Sequence, residues 1–172
     1  MTERTDGNGI VVGVDGSEAS LAALRWAEKQ ARALNTPVVA VHAWEPAAAG
    51  FAPYAPAAAR PTAEEQRERA AALLASAVRQ TFGPRSGSAV RAVVVEGSPA
   101  RVLLQHARGA LLLALGRKAH GQWDPPAIGT VGRDCLRHAT VPVVTVPVPA
   151  AEKATPPLRA VATPEHVRSG AA

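Results

Sequence analysis

The sequence predicts an α/β fold in which five parallel strands form one open sheet covered by helices on both faces. Five short aliphatic runs alternate with four segments whose apolar residues recur at helical spacing. Only 3% of the residues are aromatic, so aliphatic side chains must build the core, as they do in parallel sheets buried on both faces. At 172 residues and 47% hydrophobic composition, the chain suffices for one domain.

The first strand and helix are predicted within residues 10–34. The β-branched run 10–14 ends in Asp15-Gly16-Ser17, and Ser17 is a residue type that caps helices. The helix that follows has apolar residues at helical spacing at Leu21, Leu24, Ala27, Ala31 and Leu34. After Pro37 a second strand is predicted over residues 38–43.

The middle of the chain predicts a loop, a long helix and a third strand. Residues 46–61 are rich in Ala and Pro without periodicity, which predicts a mobile loop. Thr62 and Glu65 have the spacing of a capping box, and the helix that they open is predicted to run to Phe82, before Gly83 and Pro84. The third strand is predicted over residues 90–95.

The last two strands and helices are predicted before residue 148. Ser98 as cap and Pro99 at the first helical position start a short helix, and strand four follows over residues 110–115. Strand five is predicted over residues 141–146, and residues 1–9 and 149–172 as flexible tails around a domain that spans 10–148. The helix before strand five is predicted to bury Val131, Cys135, Leu136 and Ala139.

Composition argues against several kinds of partner and location. The net charge of +5 would permit an anionic partner, but Lys and Arg are scattered and few aromatics lie among them, so we do not expect nucleic acid binding. The apolar runs are shorter than a membrane span, and the first nine residues contain no apolar signal region. We therefore expect a cytoplasmic protein without a membrane segment.

The motifs of common enzyme classes are missing from the sequence. The five histidines have no metal-ligand spacing, and the single cysteine, Cys135, is expected to be a buried structural thiol. There is no G-x-S-x-G elbow, no P-loop and no G-x-G-x-x-G after the first strand. We expect no metal site and no catalytic residue, and we rank slow ATP hydrolysis below the binding functions because no general base or arginine finger is evident.

A glycine loop after strand four is the strongest functional signal. Gly116 follows that strand, and Gly129 and Thr130 precede the next helix. Glycine permits a positive φ and lets a backbone approach a ligand, while amides and a hydroxyl at a helix start can bind an anion. If strands one and four are neighbours, Asp15 faces this loop across one crevice, so that a carboxylate for ribose hydroxyls lies opposite a phosphate site.

These residues together resemble the universal stress protein family over residues 10–148. The resemblance rests on IVVGVDGS at 10–17, VHA at 41–43, EGSPA at 96–100 and VPVV at 141–144. It also rests on the spacing of Gly116, Gly129 and Thr130, since the ATP-binding members carry Gly, two residues, Gly, nine residues, Gly and Ser or Thr. Ala119 stands where that motif has its second glycine.

On the spacing of the glycine motif we expect the chain to bind ATP with Mg²⁺. The resemblance implies ATP binding and a Rossmann-like sheet of order 3-2-1-4-5. It implies that Asp15 contacts the ribose and that the main chain of Ala43 lies near adenine. It places Gly116, Ala119, Gly129 and Thr130 at the phosphates. It further implies a nucleotide-binding stress-response protein without fast turnover, and a homodimer formed through the last strand.

Several residues leave a second interpretation open. Ala119 restricts φ where the family has glycine, Pro125 and Pro126 remove two amide donors, and Asp124 adds a negative charge. Asp-Gly-Ser is also a good turn without any ligand. The alternative is a dimeric structural or interaction module of the same fold whose cleft binds no nucleotide.

Overall fold

The computed structural model describes residues 8–46, 61–83, 90–118 and 128–149. All strand pairs within this part are parallel, and the strands lie in the order β3-β2-β1-β4-β5. The predicted fold class and strand order are therefore confirmed. The elements are β1 Ile10–Gly13, α1 Glu18–Leu34, β2 Val38–Trp44, α2 Ala63–Phe82, β3 Val90–Glu96, α3 Pro99–His106, β4 Leu112–Arg117, α4 Thr130–His138 and β5 Val143–Pro147.

Helices cover both faces of the sheet and create two apolar cores. Ile10 and Val12 of β1 point to one face, where Leu74 of α2 packs with residues of α1. Val11 points to the other face, where Leu103 of α3 packs with residues of α4. All four residues of β1 are buried because this strand is central and covered on both sides.

Local cap chemistry explains where two of the helices begin. Ser17 caps α1, and Thr62 and Glu65 form the predicted capping box of α2 through bonds of 3.1 and 2.8 Å. Ser98 is the N-cap residue of α3 and Pro99 begins the helix, as predicted, but the side chain of Ser98 makes no capping hydrogen bond.

The fourth and fifth strands begin two residues later than predicted. The Ala110 N–H donates to the Ala107 carbonyl at 3.0 Å, so Ala110 belongs to the turn that closes α3 although it is apolar. At its other end β4 extends to Arg117, which pairs with Pro147. Hydrogen-bonded pairing with the neighbouring strand, rather than hydrophobicity, decides these boundaries.

Two leucines predicted for the core lie at the surface. Leu34, the last residue of α1, is 54% exposed, and the chain turns there through Asn35 with φ 50. Leu136 is 46% exposed while Cys135 is fully buried. Successive helical residues are about 100° apart, so the burial of Cys135 turns Leu136 outwards.

Several expectations concern residues that the structure does not describe. The loop predicted at 46–61, the tails predicted at 1–9 and 149–172, and the segment 119–127 fall outside the described residues except for a few positions at their ends. Among the helices that are described, none combines the length and the apolarity that crossing a bilayer requires.

Candidate functional site

A cavity of about 520 Å³ opens at the carboxyl edge of the sheet, where β1 and β4 are neighbours. This is the edge at which open parallel sheets bind ligands. The cavity is lined by the ends of β1, β2 and β4 and by residues of α1, α3 and α4. The predicted site residue Ala119 lies outside the described residues. The other five predicted site residues all line the cavity, namely Asp15, Ala43, Gly116, Gly129 and Thr130.

Asp15 lies in a turn that its own side chain stabilises. Its Oδ1 accepts a hydrogen bond from the Ser17 backbone N–H at 2.9 Å, and its backbone N–H donates to Ser20 Oγ at 3.3 Å. Burial pushes the pKa of the Asp15 carboxyl up, but hydrogen bonds from Ser17 and Ser20 outweigh this effect and hold the pKa below its ordinary value of 3.8. The cavity therefore contains a carboxylate anion at neutral pH.

Ser17 and Ser20 line the cavity beside Asp15, and neither was predicted as a site residue. Ser20 Oγ donates to the Ser17 carbonyl at 2.9 Å, and the Ser20 N–H donates to Ser17 Oγ at 3.2 Å. The signal was present in the sequence, because a serine three residues after an N-cap serine can bond back to it.

Gly116 is required by packing and not by a left-handed backbone. A Cβ at this position would lie 2.3 Å from the carbonyl carbon and oxygen of Ala19 and 2.5 Å from the backbone nitrogen of Ser20. The φ of Gly116 is not in the positive range, so the predicted need for positive φ is wrong here. The end of β4 touches the backbone of α1, and this contact demands glycine with or without a ligand.

Gly129, unlike Gly116, is not demanded by packing against the described residues. Its φ of −61 and ψ of 168 are open to any residue, so positive φ is not the reason for a glycine here either. No described atom lies within 4 Å of where a Cβ would be. Neither its conformation nor packing against the described residues demands a glycine, and the residue borders the cavity.

The first turn of α4 borders the cavity. Thr130, Val131 and Gly132 line the cavity, and α4 has neither a side-chain cap nor an acidic residue in its first turn. The first intrahelical bond runs from the Arg133 N–H to the Gly129 carbonyl at 3.0 Å, so the preceding amides have no intrahelical acceptor. With the positive end of the helix dipole, this geometry suits an anion.

Of three basic residues near the glycine loop, the structure brings one to the cavity wall. From the sequence, Arg117, Lys118 and Arg133 could each contact a phosphate or be ordinary solvated charges. Lys118 lines the cavity, whereas Arg117 and Arg133 do not. Lys118 is the one cationic side chain among the described residues of the cavity wall.

Apolar residues form another part of the cavity wall, and of those named here Ala43 alone was predicted as a site residue. Val41 and Ala43 contribute the end of β2, and Leu103, Leu115 and Pro99 complete the wall. These residues look like ordinary core residues in the sequence, because only the fold brings them to one surface. The cavity thus combines an apolar surface, a carboxylate, the positive end of a helix dipole and the cationic side chain of Lys118.

Two tryptophans lie near the site residues in the sequence, and either could pack against a base. Trp123 lies outside the described residues, whereas Trp44 follows Ala43 in β2, so its side chain points to the opposite face of the sheet and does not line the cavity. His42 also points away from the cavity wall, and its Nδ1 donates to the Val14 carbonyl at 2.7 Å.

Cys135 is the buried structural thiol that the sequence predicted. It is fully buried in the core beneath α4, and burial, with a smaller contribution from the negative charge of Asp134, raises its pKa to about 11. In the described ranges, no group of three or more His, Cys, Asp or Glu side chains could hold a metal ion.

The sequence matches the model of a known protein family and several curated relatives. A sequence model of the universal stress protein family matches residues 8–147. A universal stress protein of Mycobacterium tuberculosis is 29% identical over 151 residues, which cover 85% of this chain and 50% of the relative. The chain spans about half the length of the curated relatives it matches.

Solved structures show the same fold. A universal stress family protein of Burkholderia pseudomallei has a TM-score of 0.58 at 27% identity, with 81% of this chain and 95% of that chain covered. A universal stress protein in complex with cAMP has a TM-score of 0.56 at 24% identity, with 83% and 98% covered. One from Archaeoglobus fulgidus in complex with dAMP has a TM-score of 0.57 at 23% identity, with 80% and 96% covered.

Proposed function

Because the chain belongs to the universal stress protein family, we propose that it binds an adenine nucleotide in the cavity at the carboxyl edge of its sheet. ATP together with Mg²⁺ is the nucleotide that we propose first, on the spacing of Gly116, Gly129 and Thr130. The protein would act in stress response or its regulation as a binding protein without fast turnover.

The chemistry of the cavity supports a ligand with three different parts. The apolar wall formed with Val41 and Leu103 suits the face of a base. The Asp15 carboxylate can accept hydrogen bonds from ribose hydroxyls. The α4 amides and Lys118 suit a phosphate, because both favour negative charge.

The strongest support for the proposal is that position 129 is a glycine. Within the described part of the chain, nothing about its backbone angles or its neighbours accounts for a glycine. Close approach of a phosphate to the α4 amides would account for it, because a side chain at the start of the helix would occupy that space.

The solved complexes support the ligand class by analogy of fold. The structures of two proteins with this fold were solved in complex with cAMP and with dAMP, which are both adenine nucleotides. At 24% and 23% identity, these likenesses bear on the fold alone, and the assignment to this chain rests on its own cavity residues.

The alternative function is a structural or interaction module whose cleft binds no nucleotide. Two site residues have roles that need no ligand, because Gly116 is demanded by the Ala19 backbone and Asp15 caps its own turn. Gly129 and the uncapped start of α4 are not explained in this way, and they favour the nucleotide-binding function.

We propose that the protein binds nucleotide without fast catalysis, because the protonation state of the cavity carboxylate makes it a poor general base. Among the described residues of the cavity wall, Asp15 is the one acidic side chain. Its pKa is held low by Ser17 and Ser20 despite burial, which makes it a weak base near neutral pH. An efficient general base would have a pKa near the working pH.

We further propose a cytoplasmic homodimer that forms through β5. This strand is an edge of the sheet, and Val143 and Val144 pack at the margins of the two cores. An exposed edge of this kind pairs readily with another strand. A second copy of the chain would cover it.

Mass spectrometry and calorimetry test the nucleotide proposal. Ligand released from the purified, denatured protein is identified by mass, and the ligand-free protein is titrated with ATP, ADP and AMP, each with and without Mg²⁺. We expect micromolar or weaker binding, about −8 kcal/mol or less favourable. A stable fold that shows no heat with any of the three at millimolar concentration would establish the alternative function.

A further inference from the structure

Ser20 lies where the turn at Asp15 meets the end of β4, at the cavity. It is 4% exposed, although its side chain is polar. Its Oγ accepts from the Asp15 N–H at 3.3 Å and donates to the Ser17 carbonyl at 2.9 Å. Its backbone nitrogen lies where a Cβ on Gly116 would be only 2.5 Å away. One residue thus contacts the Asp15 turn and the end of β4.

The hydrogen bonds of Ser20 restrict how the Asp15 turn can move. The bond from the Asp15 N–H fixes the backbone from which the carboxylate projects, and the bond to the Ser17 carbonyl fixes the other end of the turn. The close contact with Gly116 fixes Ser20 itself, because backbone packed on backbone has no rotamer to yield. The position of Asp15 relative to the phosphate end of the cavity therefore depends on Ser20.

We propose that Ser20 is a positioning residue for nucleotide recognition, and that its hydroxyl holds the Asp15 carboxylate towards the ribose while Gly116 and α4 hold the phosphate. The inference rests on the proposed function of the cavity. Ser20 acts through Asp15, so its loss should weaken ligands that carry a ribose more than ligands that carry phosphate alone.

Two variants of Ser20 and one matched control test the role. Ser20→Ala removes the hydroxyl, whereas Ser20→Cys keeps a side chain of similar size that is a weak hydrogen-bond partner. Ser98→Ala is the control, because Ser98 precedes the cavity-lining Pro99 but makes no capping bond. Each protein is titrated with AMP and with tripolyphosphate, and the Asp15 pKa is measured by carboxyl NMR in the nucleotide-free state.

We expect both Ser20 variants to bind AMP roughly three- to tenfold more weakly, the effect of one hydrogen bond, and tripolyphosphate within about twofold of wild type. The Asp15 pKa should rise towards its ordinary value, because Ser20 holds the turn in which the carboxyl accepts the hydrogen bonds that lower its pKa. Ser98→Ala should match wild type in all three measurements.

Three results would overturn the inference. They are an unchanged Asp15 pKa in Ser20→Ala, equal losses for AMP and tripolyphosphate, and wild-type behaviour of Ser20→Cys, which would assign the role to packing. Failure of the proposed function gives a different result, since wild type itself would then bind no AMP. The NMR measurement needs no nucleotide and would still show whether Ser20 holds Asp15.

Discussion

Replacing Gly129 by alanine should separate ligand binding from folding. The backbone angles of Gly129 suit alanine, and no described atom lies within 4 Å of the new Cβ. Alanine is a poorer helix cap than glycine, but it also restricts the unfolded chain, which stabilises by about 0.4–1 kcal/mol. These effects oppose each other, so the free energy of unfolding should change by no more than about 1 kcal/mol.

Nucleotide binding should respond much more strongly than stability. The added methyl group would stand where a phosphate must approach the amides of Thr130 and Val131. A hydrogen bond to a charged group contributes about 1.5–3 kcal/mol, so losing one should weaken AMP or ATP binding by at least tenfold. Calorimetry on the variant and wild type measures this loss.

Gly116→Ala is the matched comparison and should behave in the opposite order. Its Cβ would lie 2.3 Å from backbone atoms of Ala19, so the strand and helix must move apart. Overpacking of this kind costs about 1–3 kcal/mol, and a melting temperature lower by about 3–10 °C should result. Thermal unfolding followed by circular dichroism measures it without any nucleotide.

Two outcomes would contradict this reasoning. Wild-type affinity in Gly129→Ala would show that the phosphate does not approach the start of α4. A melting temperature of Gly116→Ala equal to that of wild type would show that the contact between β4 and α1 is looser than its distances indicate.

The remaining predictions concern the carboxylate, the dimer and the thiol. Asp15→Asn keeps an acceptor for the Ser17 N–H, so the turn should be retained, but it removes the carboxylate. Calorimetry should therefore show AMP binding about tenfold more weakly and tripolyphosphate binding unaffected. Equal losses for both ligands would assign Asp15 to the fold. The lowered pKa of Asp15 means that its stabilising effect is complete above pH 3.8 and is lost as the pH falls through the folded-state pKa, so Asp15→Asn should flatten the acid limb of a stability-versus-pH curve. Thr145→Pro removes an outward-facing amide of β5, because Val144 and Val146 face β4 in the ladder, and should convert a dimer to monomer in light scattering; wild-type monomer at tens of micromolar would refute the dimer. Cys135, with its pKa raised to about 11, is only about one part in a thousand thiolate at pH 8, so iodoacetamide should label it only after unfolding, and rapid labelling of the native protein would contradict its burial.

The positions of the site residues could be predicted from local signals, but the reasons for them could not. Asp15 follows a strand, and Gly129 precedes a helix, so both could be placed at the carboxyl edge of a parallel sheet. Gly116 was placed correctly for the wrong reason, because its contact with Ala19 joins segments far apart in sequence. Leu103 and Leu115 gave no signal, since a leucine that lines a cavity resembles one that fills a core.

The element boundaries show the same limit. Apolar residues at 110, 111 and 141 predicted strand, but β4 and β5 begin only where hydrogen-bonded pairing starts. Leu136 was predicted in the core because it lies beside Cys135, and one helical step turns it outwards. Hydrophobicity indicates that an element exists, while pairing and rotation about the helix axis depend on neighbours that the local sequence does not identify.

Two of the helices that begin at the cavity, α1 and α4, differ in whether their first turn is capped by the chain itself. The start of α1 is completed by Ser17, but the start of α4 has no capping side chain. A bound phosphate would complete α4 from outside, and binding at a concentration 100 times the Kd would stabilise the folded state by about 2.7 kcal/mol. Cys135 holds the body of α4 in the core, so fraying should be confined to the first turn. Hydrogen exchange at the first amides of α4 would then slow when nucleotide is abundant in the cell and speed up when it is scarce.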